Sequence, residues 1–166
     1  KLFPKVRQIF NKTNSGYAGG NNAGIRQAKG KYLLILNNDT IVTPGFIEPI
    51  LADLEKDPSL GIVQSKIFIM DNPKQLDNVV SYLTNIGFLF HIGYLDIDKP
   101  EYKKFRETFA AKGACMMVRK SVFELGAFDE KYWCYFEESD LCWRAWVMGY
   151  HVAFEPKSII YHKMGA

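Results

Sequence analysis

The 166-residue sequence predicts an α/β fold, a mostly parallel sheet flanked by helices, on three observations. Strand-like and helix-like segments alternate over the first seventy or so residues, the pattern that parallel crossovers require. Tyr32-Leu33-Leu34-Ile35-Leu36 is a continuous apolar run, as expected of a strand covered on both faces. That run stops abruptly at Asn37-Asn38-Asp39, at the carboxyl end of a strand, where open α/β sheets place ligands.

Each element follows from local signals. Val6-Arg7-Gln8-Ile9-Phe10 alternates and reads as a strand closed by Asn11. Asn14 to Asn22 is rich in turn formers and predicts a loop, and Asn22 to Lys29 has helical spacing stopped by Gly30. Thr43-Pro44 predicts a helix start, with Thr43 as N-cap and Pro44 at the first helical position, running to about Lys56. Gly61 to Met70 is the next strand. Val79 to Leu95 predicts a hairpin, and Asp96 to Glu107 a charged connection. Ala110 to Arg119 reads as a strand with Gly113 at a tight spot, and Ser121 as the cap of a short helix ending at Gly126. Glu137 to Met148 predicts a helix stopped by Gly149, followed by short strands at His151 to Phe154 and Ser158 to Tyr161.

Composition narrows the class. With 48% hydrophobic and 23% charged residues, disorder, collagen-like repeats and a coiled coil are excluded. The length suits one domain. No run of about 18 apolar residues provides a membrane span, and the basic start, Lys1 to Arg7, leads into no signal-peptide core. The chain begins without Met directly before a strand-like run, so it is expected to be a piece of something longer. The net charge of +3 conceals an asymmetry. Residues 1 to 31 carry seven Lys or Arg and no acid, whereas residues 123 to 140 carry six acids against Lys131 alone. One side suits an anion and the other a cation or a proton. The lysines are scattered and no nucleic-acid-binding pattern accompanies them. Cys115, Cys134 and Cys142 lack the spacing of a disulfide framework or a zinc site and are expected to be buried small hydrophobes.

Three stretches carry chemistry. Asn37-Asn38-Asp39 offers a carboxylate flanked by amides, suited either to a divalent cation bridging phosphates or to a plain strand-ending turn. The Asn14 to Asn22 stretch places glycines before a helix start, suited to an anion, although it has neither Walker nor dinucleotide spacing. In Glu137-Glu138-Ser139-Asp140, Glu138 shares a helix face with Leu141, Cys142 and Ala145. A carboxylate on an apolar face points into a core or cleft, where desolvation raises its pKa toward that of a general base. Asp140 stands four residues before Arg144, an ordinary helix ion pair. Trp133, Tyr135 and Phe136 just before the acids suit core packing or a sugar-binding wall.

Taken in order, Asn14-x-Gly16, Gly19-Gly20-Asn21-Asn22-x-Gly24, Leu36-Asn37-Asn38-Asp39-Thr40, Pro44-Gly45-Phe46, Gly113-Ala114-Cys115, Gly126-Ala127-Phe128-Asp129-Glu130, Tyr135-Phe136-Glu137-Glu138-Ser139-Asp140-Leu141-Cys142-x-Arg144, Gly149-Tyr150 and His162 resemble a family 2 glycosyltransferase of the GT-A fold, closest to its rhamnosyltransferase-like members. The resemblance implies a Rossmann-type sheet and inverting transfer of a sugar from a nucleoside diphosphate donor to an acceptor hydroxyl of a saccharide or lipid-linked saccharide, in cell-surface polysaccharide or glycolipid synthesis. It implies Glu138 as catalytic base, in a position where the family usually has Asp. Asp39 and His162 would hold Mg²⁺ or Mn²⁺, with Asn37 standing for the first acid of the family's DxD motif. Asn14, Gly19, Asn21, Asn22, Asn37 and Asn38 would contact the donor, and Trp133 and Glu137 the acceptor. Residues 1–70 would form the donor and metal side and residues 71–166 the acceptor and catalytic side of one domain, working in the cytoplasm or at the inner face of a membrane. The strands that hold the nucleoside base in this family have no counterpart before Val6, so an N-terminally truncated domain is expected. The reading from a different class is a binding or scaffolding module with this fold and no turnover.

Overall fold

In the computed structural model, which describes residues 3–164, period-2 alternation along three central strands sorts the core into two layers. The elements are α1 (Gly16–Ile25), β1 (Tyr32–Leu36), β2 (Thr40–Val42), α2 (Ile47–Lys56), β3 (Leu60–Ile69), β4 (Asn72–Asn78), β5 (Val80–Leu83), β6 (Leu89–Ile92), β7 (Arg106–Glu107), β8 (Cys115–Arg119), α3 (Glu137–Val147) and β9 (His151–His162). Ile62, Met116, Val118 and Val152 point to one face, against Ala18 of α1 and Leu141, Cys142 and Ala145 of α3. Val63, Met117 and Ala153 point to the other, against Ile50 and Leu54 of α2. Each such fully buried aliphatic side chain contributes roughly 1.5–3 kcal/mol of hydrophobic stabilisation.

The sheet runs β1-β8-β3-β9-β2, with β4 on the end of β3 and β7 on β9. It is mixed rather than mostly parallel. Only β3 with β9 pairs parallel among the described strands, and β1–β8, β3–β8, β3–β4, β2–β9 and β7–β9 are antiparallel. The apolar run of β1 reported burial correctly, since Leu33 and Ile35 are buried. Burial is independent of strand direction, which is set by the distant partner β8. The last two predicted strands form one, β9, whose register against β3 shifts between Ser65/Glu155 and Lys66/Ile159. Pro156 lies in the looped-out residues, where its missing N–H breaks no ladder bond.

Four local expectations change. Residues 6–10 form no strand and are exposed. The glycine-rich stretch is not a loop but helix α1, which starts at Gly16 (φ +68°) after Asn14 Oδ1 accepts the Gly16 N–H at 2.9 Å. Glycine at 16 fits because an added Cβ would meet the Trp133 carbonyl oxygen at 2.5 Å. Thr43 does not cap α2, which begins after Phe46; its hydroxyl instead donates to the Ile159 carbonyl at 2.8 Å, tying the start of α2 to β9. Ser121 begins no α-helix: residues 120–125 form a 3-10 turn, and the Ser121 hydroxyl bonds the Tyr150 hydroxyl at 2.7 Å. The predicted hairpin is present as β5–β6. Cys115 and Cys142 are buried as expected, whereas Cys134 is exposed. No helix among the described residues is long and apolar enough to cross a membrane.

Candidate active site

The ends of β1 and β9, the end of β4, the segment before β8 and the start of α3 meet around one cavity of about 390 Å³. It is lined by Asn37, Asp39, Asp77, Lys112, Glu137, Glu138 and His162, with Tyr17 and Gly113 at its wall. The sheet itself creates this meeting. β1 delivers Asn37, whose N–H donates to the Ala114 carbonyl, and the Thr40 hydroxyl closes the turn on the Asn37 carbonyl at 2.7 Å. Thr40 then pairs with His162, and the Lys163 N–H donates to the Asp39 carbonyl at 3.0 Å, so Asp39 and His162 are held side by side.

His162 sits between two carboxylates. Its Nε2 lies 3.3 Å from Asp39 Oδ1 and 3.3 Å from the Asn37 amide nitrogen, and its Nδ1 lies 3.6 Å from Asp77 Oδ2. The adjacent Asp77 carboxylate, then Asp39, hold the imidazole above its ordinary pKa, against an opposing effect of burial. Burial pushes the Asp77 carboxyl up, but His162 and Lys112, whose Nζ is 3.7 Å from Asp77 Oδ1, outweigh it and leave the carboxyl below the usual range. Asp39 Oδ1 is buried without a hydrogen-bond partner.

These residues fit a shared divalent ion in part. Two neighbouring ligands of a six-coordinate Mg²⁺ or Mn²⁺ at about 2.1 Å stand about 3 Å apart, close to the Asp39 Oδ1–His162 Nε2 separation. Among the described residues no group of three or more His, Cys, Asp or Glu side chains is arranged to hold a metal alone. Such a partial protein set suits an ion completed by substrate phosphates.

Across the cavity, α3 opens with two carboxylates. Glu137 is buried, and Oε2 of both Glu137 and Glu138 lacks a hydrogen-bond partner. Burial pushes Glu138 up to about 7; the neighbouring Glu137 charge adds to this, while its own backbone amide and Lys112 oppose it. Burial also raises Glu137. A carboxylate near neutrality with one oxygen unpartnered in a cavity is a group ready to accept a proton.

The other predicted residues lie elsewhere. Asn14 caps the Gly16 N–H, and Asn21 Nδ2 donates to the Tyr17 carbonyl at 3.0 Å within α1. Asn22 is buried and clamps Phe128 from both sides, with Nδ2 to its carbonyl at 2.9 Å and Oδ1 from its N–H at 3.0 Å. Gly19 packs on Ser15, Asn38 is exposed, and Trp133 is exposed with its carbonyl accepting the Ala18 N–H. None of these six lines the cavity. Conversely, sequence reasoning missed Asp77, Lys112 and Tyr17. Asp77 lies in the irregular middle of the chain, and Lys112 sits just outside the Gly113-Ala114-Cys115 motif. Gly113 is required there: an added Cβ would meet the Tyr17 hydroxyl at 2.6 Å, and that hydroxyl donates to the Gly113 carbonyl.

A mixed α/β sheet with a carboxylate–histidine cavity at its edge places the molecule in the GT-A-like class. The fold superposes on GalNAc-T7, solved with UDP, GalNAc and Mn²⁺, with a TM-score of 0.73 over 92% of this chain and 31% of that one at 17% identity. It superposes on the Pyrobaculum calidifontis mannosyltransferase PcManGT, solved with GDP-Man and Mn²⁺, with a TM-score of 0.58 over 90% and 38% at 17% identity. The chain belongs to glycosyl transferase family 2, whose profile matches residues 1–126. It is 32% identical over 146 residues to the low-salt glycan biosynthesis hexosyltransferase Agl10 of Haloferax volcanii, covering 84% of this chain and 46% of that one. It is also 32% identical over 124 residues to the O-antigen biosynthesis protein RfbC of Myxococcus xanthus, covering 70% and 10%. The chain thus spans less than half the length of these relatives.

Proposed function

We propose that the chain carries the catalytic part of an inverting, metal-dependent glycosyltransferase that moves a hexose-type sugar from a nucleoside diphosphate to a saccharide hydroxyl. The observation that carries this reading is the pairing, in one cavity, of an orphaned near-neutral carboxylate, Glu138, with the Asp39–His162 pair opposite it. Glu138 Oε2 takes the proton of the acceptor hydroxyl as its oxygen bonds the anomeric carbon. The bond from that carbon to the diphosphate oxygen breaks, the electron pair leaves with the diphosphate, and attack from the opposite face inverts the centre. Asp39 and His162 would hold Mg²⁺ or Mn²⁺, which when bound supplies charge neutralisation to the departing diphosphate. Lys112 adds a fixed positive charge between Asp77 and Glu138.

In this reading residues 1–70 supply the donor side with the metal-binding Asp39, and residues 71–166 the acceptor side, the base and the second metal ligand, His162. The relatives named for glycan and O-antigen biosynthesis support a cell-surface polysaccharide or glycolipid role, and the motif order supports the rhamnosyltransferase-like subgroup. One observation favours the non-catalytic reading: Asn14, Asn21 and Asn22 serve α1 and its packing rather than a nucleoside. Release of nucleoside diphosphate from a panel of UDP-, GDP- and dTDP-sugars with Mn²⁺ decides between them. Turnover lost with Glu138→Gln supports the transferase, and nucleotide binding with no turnover on any donor supports the binding module.

A further inference from the structure

The cavity around Glu138 does not end at Glu138. A second hollow of about 250 Å³ shares Lys112, Tyr135 and Glu138 with it and adds Ser81, His91 and Ser139. A third, of about 450 Å³, shares Leu89, Phe136 and Ser139 with the second and runs out between the β5–β6 hairpin and α3 to Trp143. Shared walls set the three in a row, a trench whose inner end holds the carboxylate read above as the base. The outer hollow alone has the size of an ordinary small-molecule site, roughly 300–1,000 Å³.

The lining of the outer part is chemically specific. Phe136 and Trp143 are 63% and 50% exposed, and Phe88 on the hairpin turn faces the same hollow. The Trp143 indole is braced edge-to-face on Phe109, with centroids 5.7 Å apart at 86°. Ser139 and Asp140 line the same hollow, and Asp140 Oδ2 is held by Arg144 at 2.8 Å. The backbone leading in is strained: Tyr135 and Phe136 have φ of +74° and +70°, the left-handed region that non-glycine residues occupy at a cost of roughly 1–3 kcal/mol. That strain sustains an arrangement in which Phe136 faces solvent beside the base rather than the core.

We propose that this trench is the acceptor subsite, and that it binds an oligosaccharide whose reactive sugar lies at Glu138 and whose next sugars stack on Phe136 and Trp143. The proposal rests on the transferase reading of Glu138. Exposed aromatic faces in one hollow with a hydroxyl and a carboxylate match a pyranose ring, which has an apolar C–H face and a polar hydroxyl edge. A bilayer surface is the poorer occupant, because the outer hollow is lined by no Lys or Arg that would attract anionic headgroups.

The test is binding to the chain of cellotetraose, maltotetraose and chitotetraose, followed by Trp fluorescence and saturation-transfer NMR, alongside calorimetry of UDP and GDP with Mn²⁺. At least one tetrasaccharide is expected to bind. Trp143→Ala and Phe136→Ala should weaken it at least tenfold, Trp143→Phe should restore most of the affinity, and nucleotide affinity should stay within twofold for all three. Glycan binding that survives both alanine variants, or no glycan binding to a chain that still binds nucleotide, overturns the proposal. So does ring-dependent binding to phosphatidylglycerol vesicles without glycan binding. Glycan binding by a chain that binds no nucleotide supports the subsite while telling against the transferase reading.

Discussion

Asp77 Oδ2 lies 3.6 Å from Nδ1 of His162, on the far side of the imidazole from Asp39. Nδ1 makes no hydrogen bond at this distance, so the contact is electrostatic: the carboxylate behind the ring favours the proton on Nδ1 and leaves Nε2, the nitrogen facing Asp39, to ligate. Asp77 is itself placed by β4 pairing with β3, so the ring's orientation is set by a part of the sheet remote in sequence from both Asp39 and His162. Loss of such an outer partner typically lowers metal affinity 10–100-fold. Asp77→Asn is therefore expected to weaken Mn²⁺-dependent UDP or GDP binding by about that factor while leaving metal-free nucleotide affinity unchanged. Calorimetry at several Mn²⁺ concentrations reads this, and an unaltered Mn²⁺ dependence would remove Asp77 from the role.

Glu138→Gln keeps the shape of the side chain and removes its basicity. Since general-base catalysis is worth about 10²–10⁴ in rate, transfer should fall by that range with nucleotide and Mn²⁺ affinity unchanged. A variant that retains most of its turnover would reassign the base to Glu137, the buried carboxylate beside it on α3.

The same carboxyl sets a pH profile. A base must be deprotonated to act, so the rate should rise with pH through about 7, where burial places Glu138. Lys112 holds that value down. Lys112→Met removes the charge and should displace the rising limb to higher pH. A rate that falls over the same range, or a limb that ignores Lys112, contradicts the assignment.

Much of this arrangement was legible in the sequence, and what was not has definite physical causes. The strand ending at Asn37, the α3 start at Glu137 and the apolar side of Glu138 follow from local periodicity, because each is decided within one or two turns of chain. Strand direction was not legible: β1 has the same apolar pattern whether its neighbour β8 runs parallel or antiparallel. The glycine-rich stretch misled because glycine disfavours helices in isolation. Here tertiary contacts override that preference, with Gly16 under Trp133 and Asn22 clamped to Phe128. Asp77 and Lys112 carried no motif, because their role exists only once β4 and the segment before β8 lie against β9.

On the opposite side of the sheet, Asp53 of α2 faces Glu155 of β9. Asp53 Oδ2 is buried without a hydrogen-bond partner, and burial, followed by the neighbouring Glu155 carboxyl, raises its pKa to about 7. The folded state therefore binds this proton more tightly than the unfolded chain, whose Asp titrates near 4. A group of this kind stabilises the fold fully below about pH 4, and its contribution fades as pH rises toward 7; Glu138 acts in the same direction. The urea midpoint should be higher at pH 5 than at pH 8, and Asp53→Asn should reduce that difference. A midpoint that climbs from pH 5 to 8 in the parent chain would contradict the pairing.

Asn22 separates a packing role from a ligand role. Its side chain makes three hydrogen bonds: from Nδ2 to the Phe128 carbonyl at 2.9 Å and to Glu130 Oε1 at 3.0 Å, and at Oδ1 from the Phe128 N–H at 3.0 Å. Phe128 is itself core, packed edge-to-face on Tyr17, whose hydroxyl reaches the cavity wall at Gly113. Asn22→Ala strands the buried Phe128 amide and carbonyl, and each unsatisfied group costs about 1–3 kcal/mol. At roughly 2–4 °C per kcal/mol for a chain of this size, the melting temperature should fall by several degrees or more. Asn21, whose side chain bonds only within α1, should lose far less when changed to Ala. Both variants, measured below their melting points, should bind nucleotide with Mn²⁺ as the parent does, because neither side chain lines the cavity. A selective loss of nucleotide affinity in Asn22→Ala at unchanged stability would instead restore this asparagine to the donor side.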